Sequence, residues 1–274
     1  MTSNKLLIYL KISSSSYYHS STRGGRKKMK RDGSKTLFAV VLFVTLGLFI
    51  LNPAFAGSDC NRVCEGSFVI DDINTAVDLE ALSRCTSVTG DLSIIDSPLT
   101  SLEGLECLAH VGGRLVISIN RSLKSLVGLN KLESVGGDLE ISYNFSLTSL
   151  AGLNKLKSVG GHLGIENNEF LTSLTSLENI TSVGGDLEIS YNLSLTSLAG
   201  LNNLKSVGGR LDISINRSLT SLAGLNNLKS VGGDLAIWYN RKLCTSLAEA
   251  LRDRLLGSGG TGRSIKISIN KPGC

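Results

Sequence analysis

Leucine, isoleucine and valine recur along most of the chain with a 24-residue period, marked by Val-Gly-Gly triplets that begin at 111, 135, 159, 183, 207 and 231. One period reads Val183-Gly-Gly-Asp-Leu-Glu-Ile-Ser-Tyr-Asn-Leu-Ser-Leu-Thr-Ser-Leu-Ala-Gly-Leu-Asn-Asn-Leu-Lys-Ser206. Within it Leu187 and Ile189 alternate with Glu188 and Ser190, as in a strand that buries one face. Leu195, Leu198, Leu201 and Leu204 follow at three-residue spacing, which suits short extended or 3₁₀ segments between corners; no stretch between strands is long or regular enough for an α-helix. The paired glycines ahead of each strand permit a sharp corner and positive φ. A constant period in the twenties marks a solenoid. The expected fold is therefore mainly β, a right-handed leucine-rich-repeat-like β-solenoid whose stacked Leu, Ile and Val rows lie under one parallel sheet, with strands about 4.8 Å apart.

The two ends depart from the period. Fainter coils occupy 64–87 and 88–110, so 57–87 reads as an N-terminal cap coil and 88–242 as the repeats. Over 243–256 Leu247, Ala248, Leu251 and Leu255 recur at helical spacing, and Ser264–Asn270 regains strand alternation. The segment 243–274 is thus expected to be a cap of one helix and one last strand, because an end coil must cover apolar faces that inner coils bury against neighbours. All six cysteines sit at these ends, Cys60, Cys64, Cys85 and Cys107 at one and Cys244 and Cys274 at the other. An even count in an exported chain reads as disulfides.

Charge changes the picture only at the N-terminus. The net charge is +5, but residues 1–56 hold nine Lys and Arg against the single acid Asp32, which leaves 19 bases and 22 acids beyond them. A nucleic-acid footprint needs a basic stripe on the folded part, so that partner class is excluded. The basic run Met29–Lys35, the apolar stretch Thr36–Leu51 and the small residues Ala54 and Ala56 form the three parts of a cleavable secretory signal over 29–56. Residues 1–28 read as an extension upstream of a true start at Met29, a transit segment being the alternative. A membrane anchor is the other reading of the apolar stretch; it falls short of the ~20 residues a span needs, and Pro53 interrupts it. Retained, it would keep the basic cluster inside and still send the repeats out. No apolar tail closes the chain, and Asp59 ahead of Cys60 spoils a lipoprotein site, so the expected location is secreted or at the cell surface or envelope.

The fragment Leu187-x-Ile189-x-x-Asn192 is similar to the leucine-rich-repeat consensus, in which the asparagine turns inward and bonds neighbouring coils. Gly replaces the first expected Leu, and Asn-x-Ser-Leu carries one residue more than Asn-x-Leu. In these respects, and in Val63-Cys64-Glu-Gly and Cys85-Thr-Ser-Val-Thr-Gly-Asp-Leu-Ser-Ile, residues 60–274 resemble the receptor L-domain family of growth-factor-receptor ectodomains and microbial surface proteins. The resemblance implies a Cys64–Cys85 disulfide, with Cys60–Cys107 and Cys244–Cys274 as the pairs that then remain. It identifies a fold far better than a function.

Candidate chemistry is sparse. The loop Gly257–Ser264 superficially copies a phosphate-binding loop, but Arg263 stands for the Lys, and its order of helix, loop, strand turns no helix N-terminus to a phosphate; it reads as a linker. No Cys-x-x-Cys pair occurs and only His110 and His162 follow residue 56, so neither metal nor cofactor is expected. Glu140 and Glu188 lie two coils apart, near 10 Å by strand spacing and too far for an acid pair. No nucleophile, base and orienting group assemble, and polar rows on a solenoid make no deep pocket, so an enzyme is not expected. Of five Asn-x-Ser/Thr sequons, Asn120, Asn144, Asn192 and Asn216 occupy the inward ladder position; only Asn179 is a glycosylation candidate.

Three outward rows remain. Arg114, Asp138, His162, Asp186, Arg210 and Asp234 precede successive strands, where opposite charges would meet across each gap; the Arg and His rungs are candidates for an anion or sugar. Glu140, Tyr143, Glu188, Tyr191, Trp238 and Tyr239, with Ser142, Ser190, Asp212 and Ser214, are read as outward strand positions, aromatics there being either partner anchors or cross-strand packing. Thr148, Thr172, Thr196 and Thr220 line one corner as ice-binding rows do, but Lys124 breaks the row. The leading expectation is a recognition or adhesion module that binds an extracellular protein or carbohydrate through the sheet face. The alternatives are a structural wall or envelope solenoid without a ligand and, more remotely, an ice-binding surface.

Overall fold

The computed structural model describes residues 59–73, 75–257, 259 and 264–274. The expected signal segment, its cleavage point after Ala56, and Arg263 of the Gly/Ser loop lie outside the described residues. Among those described, no helix is long and apolar enough to cross a membrane.

The chain winds through about seven turns of a β-solenoid of roughly 24-residue coils. Among the described residues the strand pairings are parallel and join equivalent positions of consecutive coils, as in Leu163↔Leu187 and Ile165↔Ile189, with one register shift at Arg62/Val63 in the first coil. Two sheets result where one was expected. Nine strands form the larger, from Phe68–Ile70 through repeats such as Leu139–Ser142 and Leu187–Ser190 to Ile265–Ser268. Eight strands form the second, most of them two-residue Ser-Val pairs such as Ser182–Val183 just ahead of the glycines. A two-residue strand leaves no alternation to read; its polar Ser and buried Val look like part of a corner.

The core is one continuous stack. Leu187, Ile189, Leu195, Leu198, Leu201 and Leu204 are fully buried, and Val207 is all but so, with equivalents in each coil. Such burial stabilises by about 1.5–3 kcal/mol per side chain. Brief 3₁₀ turns at Thr175–Leu177 and Ala223–Leu225 match the three-residue Leu spacing. One α-helix, Thr75–Leu82, contradicts the expectation of none between strands; it buries only Leu82 and so shows no clear amphipathic stripe in sequence. The C-terminal cap is the helix Thr245–Gly257, burying Ala248, Leu251 and Leu255, followed by the last strand.

The paired glycines serve a purpose other than positive φ, which none of them adopts. A Cβ on Gly136 would be driven into the carbonyl of Gly112 one coil below, and each later pair repeats the clash. Close coil approach excludes a side chain there. Positive φ falls instead on Gly128, Gly152 and Gly200 at another corner.

Three disulfides tie the ends: Cys60–Cys107 and Cys64–Cys85 at the N-terminal coils, and Cys244–Cys274 across the C-terminal cap. Asn120, Asn144, Asn168, Asn192, Asn216 and Asn240 are fully buried and form an inward ladder. Each Oδ1 accepts the backbone N–H of the rung before it, and each Nδ2 donates to a backbone carbonyl of the preceding coil.

Candidate binding face

Strands of the larger sheet point their first and third residues into the core, so the second and fourth stack into outward columns. One column runs Val116, Glu140, Gly164, Glu188, Asp212, Ala236, and the next Ser118, Ser142, Glu166, Ser190, Ser214, Trp238. Ser142, Ser190, Ser214 and Asp212 are buried on this face, covered by longer neighbours, which corrects their reading as exposed positions. The hydroxyls of Ser142 and Ser190 donate to Glu140 and Glu188 at 2.8 and 3.0 Å, holding both carboxylates against the sheet.

Tyr143, Tyr191 and Tyr239 are not strand residues. They follow the strand end with φ of 57°, 58° and 61°, in the turn that sends the next residue inward as a ladder asparagine. A non-glycine residue in that left-handed region costs on the order of 1–2 kcal/mol, and the ladder bonds in every coil offset it. Tyr143 and Tyr191 are each 46% exposed on this turn edge. Phe145 and Phe170, not singled out in the sequence, join them at 42% and 54%. The signal was present: Phe170 stands in a column of serines that includes Ser146, Ser194 and Ser218.

Tyr143 and Phe145 pack their rings edge to face at 6.4 Å, and so do Trp238 and Tyr239 at 6.3 Å. What sets the second pair apart is its cation caps, Lys266 over Trp238 at 4.1 Å and Arg241 over Tyr239 at 4.7 Å. Trp238 and Tyr239 are half-buried, and this stack occupies them within the fold.

Within the row ahead of the strands, charge pairing explains less than backbone capping does. Asp138 and Asp186 accept the backbone N–H of His162 and Arg210 one coil on, at 2.8 and 2.6 Å. Arg114 and Asp138 do meet across the gap at 3.5 Å. Arg210 instead turns to Asp212 in its own coil. Thr148 and Thr220 donate their hydroxyls to carbonyls of the preceding coil, so those hydroxyls join coils. Asn179 is exposed, with its Nδ2 donating to Asn154, and begins an outer amide ladder continued by Asn203 and Asn227.

At the centre of the face Gly164 replaces the glutamates of the adjoining coils. A Cβ there would lie 2.7 Å from Nε2 of His162 and 3.0 Å from Oε1 of Glu166, so both side chains close over the missing one. Ligating atoms of His162, Glu166 and Glu188 all fall within 4.8 Å of one another. The expected 10 Å between carboxylates thus overlooked Glu166, which sits on the intervening coil. Burial raises the Glu166 carboxyl above its ordinary pKa, the charges of Glu188 and Glu140 add to this, and His162 opposes it. The folded chain holds this proton more tightly than the unfolded one, so Glu166 disfavours folding increasingly as pH rises through the raised value, and acid relieves the penalty.

The chain matches no curated protein. Receptor L domains are ligand-binding, non-enzymatic modules that bind extracellular protein ligands. Four coils of the larger sheet, the centre of this face and most of the C-terminal helix fall within residues 157–255, and that stretch matches the family model described as Receptor L domain.

Proposed function

We propose that this chain is a secreted or cell-surface recognition module that holds an extracellular protein against the turn edge of its larger sheet. The observation that supports it is the cluster of Tyr143, Phe145, Phe170 and Tyr191, all more than two-fifths exposed within three successive coils. Strand spacing puts the two tyrosines about 10 Å apart, with Phe170 on the coil between. Exposed aromatics concentrated at one edge are partner anchors, since rings supply large contact area at low entropy cost. Beside them stand Glu140, Glu166 and Glu188, so the fitting partner surface is apolar with a basic margin. The resemblance of the repeats to a family of ligand-binding modules supports the same reading, as do three disulfides suited to an oxidising compartment. No step of chemistry is assigned to the face.

The test compares binding of the labelled chain to intact cells and extracellular material of its source with binding of a variant carrying Tyr143→Ser, Phe145→Ser, Phe170→Ser and Tyr191→Ser. Saturable binding that the variant loses at an unchanged melting temperature supports recognition. Equal binding, or none by either protein, favours a structural spacer, and sensitivity to glycosidase treatment redirects the partner from protein to carbohydrate.

A further inference from the structure

We propose that His162, Glu166 and Glu188 form a binding site for one divalent transition-metal ion of the Zn²⁺ type. The inference stands on geometry and does not depend on the recognition reading. An imidazole nitrogen and two carboxylate oxygens from neighbouring coils already converge within 4.8 Å. Tetrahedral zinc with such ligands at about 2.0–2.1 Å sets them roughly 3.3 Å apart, a closure that rotation of the two flexible glutamates supplies. Three protein ligands also leave a fourth position for water, as zinc sites of this class do.

Three further observations make this more than a patch of acids. First, the column that carries Glu140, Glu188 and Asp212 drops to hydrogen at Gly164, the one place where a side chain would press on both His162 and Glu166. That glycine opens a cradle between the ligands. Second, the outer contacts are in place: the Ser190 hydroxyl orients Glu188, and the His162 backbone is pinned by Asp138. Such supports set ligand direction in metal sites. Third, among the described residues no Lys or Arg forms an ion pair with Glu140, Glu166 or Glu188. In the next coil Asp212 is buried, with one carboxylate oxygen bonded to Arg210 and the other, Oδ1, without a partner. A bound dication would offset the crowding of Glu166, Glu188 and Glu140. The mixed nitrogen and oxygen set selects a transition ion over Ca²⁺ or Mg²⁺, which take oxygen ligands.

The experiment titrates ZnCl₂ into the full chain, purified without a histidine tag, by calorimetry at neutral pH, with CaCl₂ and MgCl₂ as comparisons. Saturable binding of one Zn²⁺ is expected, unaffected by excess Ca²⁺ or Mg²⁺. His162→Ala, Glu188→Gln and Gly164→Ala should each weaken it by at least about tenfold, whereas His110→Ala, on another coil corner, should not. Thermal melts in EDTA identify any variant that has lost its fold, and added Zn²⁺ should raise the melting temperature of the parent chain and of His110→Ala more than that of the three site variants. Absence of saturable binding overturns the assignment, as does binding that survives both His162→Ala and Glu188→Gln.

Discussion

The backbone N–H of Asn168 donates to Oδ1 of Asn192 at 3.1 Å, while Nδ2 of Asn192 donates to the carbonyl of Ile165 at 2.7 Å. One buried side chain therefore satisfies two groups of the preceding coil that water cannot reach. Replacing Asn192 by Ala leaves the Asn168 N–H unpartnered and takes one donor from the Ile165 carbonyl, which the strand ladder still engages. We expect a loss of roughly 1–3 kcal/mol in urea denaturation. The outer amide Asn203, which donates to Glu178 at 2.7 Å but is exposed, provides the contrast. Asn203→Ala should cost less than about 1 kcal/mol, because water takes over its bond. Equal losses would mean that the inner ladder contributes no more than a surface amide does.

A second prediction separates two kinds of glycine. Gly200 has φ of 111°, and a Cβ on it would collide with the carbonyl of Leu174 in the coil below, so both backbone strain and crowding oppose a side chain. Gly257, the last residue of the C-terminal helix, has open space around its Cβ direction. Gly200→Ala should destabilise by about 3 kcal/mol or more, strain alone accounting for 1–2. At Gly257 the same change should be neutral or stabilise by up to about 1 kcal/mol. Melting temperatures of the two variants decide the matter, and a small loss at Gly200 would show that the corner can open.

The contrast between these glycines shows what a sequence of this kind discloses. A 24-residue period is a one-dimensional signal, and it carries the coil, the strand at Leu187–Ser190 and the inward asparagines directly, while the cap helix shows where that period gives way to helical spacing. It says little about how one coil touches the next. Hence the period suggests a turn for the Gly-Gly pairs, which serve close approach, and the Ser-Val pairs carry no sign of a second sheet. The aromatic edge is legible in part: Tyr143 and Tyr191 stand out by recurrence, whereas Phe145 falls in a variable column and Phe170 replaces a recurring serine. His162, Glu166 and Glu188 are separated by four and 22 residues, a spacing that belongs to no linear metal motif. Only the stacking of coils brings them together. On a solenoid, departures from the repeat mark sites better than the repeat does.

Arg210, a candidate rung for an anion or sugar, also has a partner within the fold. Its guanidinium meets Asp212, whose side chain is only 7% exposed, whereas Arg210 keeps 46% of its own in solvent. Asp212 lies on the outer column between Glu188 and Ala236, so removal of Arg210 would leave a covered carboxylate beside another acid. Truncating one partner of a fully buried pair costs about 3–5 kcal/mol; with one partner half in water, Arg210→Ala should cost roughly 1–3. Replacing both, as Arg210→Ala with Asp212→Ala, removes the stranded charge and should recover at least half of that loss. Denaturation of the two single variants and the double variant gives the coupling directly. The same proteins should bind an extracellular partner at the Tyr143 edge with unchanged affinity once compared below their melting temperatures. A double variant that is no more stable than Arg210→Ala, or one that binds the partner more weakly, would return Arg210 to the recognition surface.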